Sequence, residues 1–100
     1  MPILPGRYRD FRREFPEVAE AYDRTVEATA EAGPFDEKTV QLLKLAMAIA
    51  AGLEGAAHSH VRRSLEAGAS VAELRHVPLL AITTVGFPRA MAGLTWVEDV

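Results

Sequence analysis

Apolar positions recur along most of this chain at three- and four-residue steps, the period of an α-helix rather than of a strand. The run FPEVAEAYDRTVEATAEAG, residues 15–33, places Pro16 at a first helical turn with acids behind it, and Gly33-Pro34 supplies a stop. Val18, Ala21, Tyr22, Thr25, Val26 and Thr29 predict one buried stripe on this helix of about four turns. Asp36 is a good N-cap for EKTVQLLKLAMAIAAG, which Gly52 ends. Beyond Val40 only Gln41 and Lys44 are strongly polar in that run. A helix so apolar all round is expected at the centre of the fold, in a subunit interface, or both.

A further helix is predicted over 54–67, with a left-handed cap at Gly68. Ser70-Val-Ala-Glu73 is a capping box that starts the next one. Pro78 inside it predicts a kink or an early break. Gly86 and Pro88 mark a turn, and a last short helix holds Ala90, Met91, Leu94 and Trp96. Only LLAITTVGF, residues 79–87, reads equally as strand. At the other end, Pro2 and Pro5-Gly6 predict an extended leader, so that residues 1–15 form an arm on a single all-α domain spanning 1–100.

Composition narrows the function. The chain of 100 residues is 49% hydrophobic and 25% charged, enough for a core, and a domain of this size often gains stability by associating. A net charge of −3 argues against a nucleic-acid partner. Arg7, Arg9, Arg12 and Arg13 cluster, but Asp10 and Glu14 interrupt them, as on a solvated helix face. Cysteine is absent, which removes disulfides, thiolate ligands and thiol redox chemistry. The N-terminus lacks a secretory pattern and the longest apolar stretch is too short to span a bilayer, so a cytoplasmic protein without membrane attachment is expected.

Candidate chemistry concentrates in LEGAAHSHVRRSLEAGAS, residues 53–70, which holds His58 and His60. Helical spacing puts Leu53, Ala56, Ala57, His60, Ser64 and Leu65 on one inward stripe. Glu54, His58 and Arg62 fall on another face and are expected to form a surface charge network. The two histidines stand about 200° apart round the helix, too far to share an ion from one regular helix. His76 would have to fold back onto His60 to complete a ligand set, so no metal is expected. His60 is therefore either a core or interface histidine bonded to a carbonyl or hydroxyl, or a general acid/base in a pocket between helices.

From Asp36 to Leu94 the order of elements is an apolar helix ending in Gly, a helix with His-x-Arg-x-x-Leu-x-x-Gly-Ala, a capped Ser-x-x-Glu helix, and a Gly-x-Pro-x-Ala turn. This order resembles the carboxymuconolactone decarboxylase-like family, which includes the alkyl hydroperoxidase D proteins. The resemblance implies an all-α fold with an antiparallel helix pair at its core, assembled as a homo-oligomer, trimeric or hexameric. In the hydroperoxidase members a Cys-x-x-Cys pair precedes the histidine and a glutamate in the previous helix completes a proton relay. Here the histidine position falls on His60, the cysteine positions on Leu53 and Ala56, and the glutamate position on Gln41. Thiol peroxidase chemistry is thus lost, since a thiolate must attack the peroxide.

The decarboxylase branch keeps a histidine without needing the cysteines. By that resemblance the chain is expected to be a cofactor-free lyase or isomerase on a small carboxylated or lactone substrate, with His60 moving a proton. Arg62, Arg63, Arg75 and Arg89 are possible clamps for a carboxylate. Ala56, one turn before His60, offers no acidic partner. The alternative is a non-catalytic helical module for ligand binding or assembly, with a retired peroxidase site.

Overall fold

The computed structural model describes residues 4–100 and contains six α-helices and no strand among them. They are α1 (Leu4–Glu14), α2 (Pro16–Glu31), α3 (Glu37–Ala51), α4 (Glu54–Glu66), α5 (Val71–Val85) and α6 (Phe87–Glu98). The chain divides into two units, one ending at Phe35 and one running from Asp36 to Val100.

In the first unit α1 packs against α2. Pro5 and Gly6 lie inside α1 rather than in an extended leader, and Pro2 is outside the described residues. Proline is tolerated there because the first helical N–H groups have no partner to lose. The face of α2 that turns inward shares only Val26 with the predicted one. Ala19 is buried, and Asp23, Val26 and Ala30 are half-buried, whereas Val18 and Tyr22 are 57% and 59% exposed. Arg12 of α1 makes a bidentate pair with Asp23, which fixes that face of α2 against α1. Alanines at 19, 21, 28 and 30 leave hydrophobic spacing nearly silent about the choice.

In the second unit α3 packs against α4, α5 and α6, the central position expected of it. Asp36 accepts the backbone N–H of Thr39 at 2.8 Å and so caps its first turn. Gly52, at φ +75°, ends it: the N–H of Leu53 reaches the carbonyl of Ala48 and that of Gly52 the carbonyl of Ile49. Gly52 and Leu53 alone join α3 to α4, so α4 folds back against α3. The capping box at Ser70 and Glu73 is formed in both directions, at 3.0 and 2.8 Å.

The core of this unit is Leu45, Ala48, Ile49, Ala57, Val61, Ala69, Leu74 and Val97. Small residues let the helices close up: a Cβ on Gly93 would stand 2.6 Å from Cγ2 of Ile49. Arg89 of α6 reaches the C-terminus of α3, donating from Nη1 to the carbonyl of Ala50 at 3.1 Å, where a cation also meets the negative end of the helix dipole. A Cβ on Gly52 would collide with that guanidinium. The stretch 79–87 is helical up to Val85, and Pro78 does not stop α5. Pro78 is buried, and its packing outweighs the one ladder bond it forfeits. The outer side of α3 remains apolar and exposed at Leu43 and Met47. No helix among the described residues is long and apolar enough to cross a membrane.

Candidate functional site

The inward face of α4 is narrower than spacing predicts. Ala57, Val61 and Ser64 are buried, three and four residues apart, while Leu53 and Leu65 at the ends of the expected stripe are 55% and 42% exposed. Leu53 precedes the first helical residue, so its side chain does not follow the helical register. Ala56 packs half-buried against the core and His60 is half-buried at the margin of the stripe.

At that margin the fold-back of α4 lays His60 beside Gln41 of α3. His60 Nδ1 lies 2.8 Å from Gln41 Oε1, and Gln41 Nε2 donates to Glu37 Oε2 at 2.9 Å. Gln41 is 4% exposed, so its amide must find partners inside the protein, and it finds two. Among the described residues no group bonds to His60 Nε2. Three residues on from Gln41 stands Lys44, and three on from His60 stands Arg63. One turn along each helix, their charges act on His60. Burial, followed by the charges of Lys44 and Arg63, holds the His60 pKa below its ordinary value of 6.5. The imidazole is thus neutral at neutral pH, half-desolvated, bonded at one nitrogen and set among cations. Such a group takes up a proton in a site that attracts anions.

The four arginines that spacing could not rank separate in space. Arg75 pairs with Glu98 at 3.2 Å, and Arg89 is committed to the end of α3. Arg62 and Arg63 form no ion pair among the described residues, nor does Lys44, and Arg63 is the arginine that His60 feels. Lys44 was missed in the sequence because a lone lysine on an apolar helix reads as its solvent edge; only the pairing of α3 with α4 relates it to His60.

His58 departs from the expected surface network. It bonds to Asp99 Oδ2 at 3.1 Å, and Glu54, His58 and Asp99 bring their ligating atoms within 4.8 Å of one another. Asp99 follows the last residue of α6, so this cluster is visible only in three dimensions. His76 makes no hydrogen bond to His60. It lines a separate cavity of about 430 Å³ with Ala72, Arg75, Leu79 and Leu94, between α5 and α6. Comparison with protein families matches residues 16–99 to the model described as the Carboxymuconolactone decarboxylase family. Curated proteins and solved structures give no significant match.

Proposed function

The chain belongs to the carboxymuconolactone decarboxylase family, and from that premise we propose that it moves a proton on a small carboxylated or lactone substrate, without a cofactor, through His60. The observation that carries this reading is the neutral, half-buried imidazole bonded to Gln41 and reached by the charges of Lys44 and Arg63, which form no ion pair among the described residues. The substrate carboxylate binds between the cations, and a C–H bond next to the carbonyl is presented to the imidazole. The C–H bond breaks, an N–H bond forms on His60, and the electron pair moves onto the carbonyl oxygen, where the two cations lower its energy. Return of the proton to a different carbon gives isomerisation.

Thiol peroxidation is outside this chemistry, because the chain has no cysteine. A retired site that only binds ligand or supports assembly is the second reading, favoured by Leu53 and Ala56 at the positions where relatives with redox activity carry cysteines. The exposed Leu43 and Met47 support assembly of like chains; a trimer or hexamer is what the family resemblance implies.

The test is hydrogen–deuterium exchange by NMR at carbons next to the carbonyl, over a panel of small lactone carboxylates. Exchange is expected, with a loss of about 100-fold or more in His60→Ala and weaker binding in Lys44→Ala and Arg63→Ala. Exchange undiminished in His60→Ala rules the proposal out. Binding without exchange in the parent protein favours the second reading.

A further inference from the structure

We propose that Glu37 is a positioning residue for His60: by holding the Gln41 amide in one orientation, it keeps the imidazole proton on Nδ1 and leaves the lone pair of Nε2 as the basic site. The inference rests on the proton-transfer reading above and names a residue which that reading does not use.

Gln41 has two chemically opposite ends in nearly the same shape, and their orientation follows from what each end faces. One end is 2.9 Å from Glu37 Oε2 and the other is 2.8 Å from His60 Nδ1. A carboxylate has lone pairs and no proton, so the end that faces Glu37 must be the NH2 group. The reverse orientation sets two oxygens at hydrogen-bond distance with no hydrogen between them. With its NH2 committed, Gln41 turns its carbonyl oxygen to His60. A carbonyl can only accept, so Nδ1 must carry the N–H, and the neutral ring then has its lone pair on Nε2.

Two features make this a lock rather than a preference. Gln41 is 4% exposed, so its amide cannot exchange either partner for bulk water. Glu37 is four residues before Gln41 in the first turn of α3, on the same helical face, and the Asp36 cap holds that turn in register. In the proposed reaction a substrate proton is received at Nε2 while Nδ1–H stays bonded to Gln41. The ring does not turn over between uptake and return.

The two tautomers differ in the 15N shifts and long-range 1H–15N couplings of the ring, which report them without any substrate. The full chain is labelled with 15N-histidine, and His60 is identified by its absence in His60→Asn. At a pH above its titration, the parent is expected to hold Nδ1–H over Nε2–H by about ten to one or more. In Glu37→Ala the amide is free to reverse, and the ratio is expected to fall within about threefold of unity or to invert. Glu37→Gln keeps the size of the side chain but offers a donor as well as acceptors, and lowers the ratio in the same direction. The double variant Glu37→Ala with Gln41→Glu, measured above its own raised titration, places an acceptor-only carboxylate directly opposite Nδ1 and is expected to restore Nδ1–H in the neutral ring. Loss of a merely structural contact would not be rescued in that way. Nε2–H as the major form in the parent, an unchanged ratio in the two Glu37 variants, or no recovery in the double variant each overturns the proposal. Persistence of carbon exchange in His60→Ala counts against the proton-transfer reading alone and leaves the tautomer result standing.

Discussion

Gln41→Glu is expected to reverse the direction in which acid acts on the stability of the fold. In the native chain His60 sits below its ordinary value of 6.5, first through burial and then through Lys44 and Arg63. Below 6.5 the unfolded chain therefore binds more protons at this residue than the folded one. The contribution of His60 to stability is present above the unfolded value and is lost as the pH falls through the folded one. A glutamate at 41 puts a carboxylate where Oε1 now lies, 2.8 Å from Nδ1. With charge centres about 4 Å apart, the attraction is worth about 1 kcal/mol in water and about 4 at an effective dielectric constant of 20. His60 is half-exposed, so screening leaves roughly 1–3 kcal/mol. Repulsion between Glu37 and the new carboxylate one turn away lowers the overall stability of the variant but does not weaken the pull on the imidazole.

That attraction favours imidazolium and carries the folded value of His60 above the unfolded one. Its contribution is then present below the unfolded value and is lost as the pH rises through the folded one. Urea melts of parent and variant between about pH 5 and 8, with His60 titrated by NMR in both, measure the two directions independently. The reasoning fails if His60 in the variant titrates at or below its position in the parent, or if acid acts on the His60-dependent stability of both proteins in the same sense.

Two further outcomes are expected. Gly93→Ala drives a methyl to within 2.6 Å of the fully buried Ile49; overpacking of about 1–3 kcal/mol, less about 1 kcal/mol of helix propensity, lowers Tm by several degrees. In an Ile49→Ala background the same change has room and should be neutral or stabilising, and an equal loss in both backgrounds would refute the packing argument. Light scattering at micromolar concentration should give a multiple of the 10.9 kDa chain, with Met47→Lys and Leu43→Lys lowering the mass without unfolding the chain; a monomeric parent would exclude the assembly.

Local chemistry made most of the helical boundaries legible. The Asp36 cap, the Gly52 and Gly68 stops and the Ser70–Glu73 box depend on groups within five residues of each other, so the sequence reports them directly. The position of His60 near Gln41 was legible only as a likeness to relatives. Periodicity failed where side chains were small or the register broke: alanine permits either face of α2 to turn inward, and Leu53 lies before α4 begins. Pro78 misled for the opposite reason, since a breaker rule counts the lost backbone bond and not the packing of the ring.

What the sequence determined by itself is the all-helical character, the caps, the central apolar helix and the absence of a thiol. These follow from composition and from interactions that span one or two turns. That the charge of Lys44 reaches His60, which amide end faces the ring, and that His58 meets Asp99 rather than Arg62 were decided by the tertiary structure alone. Each of those pairs a residue with one outside its own helix, or orients a symmetric-looking group by two neighbours at once. Spacing along one chain carries no information about that, because the partners become neighbours only when α4 folds back on α3 and α6 closes against both.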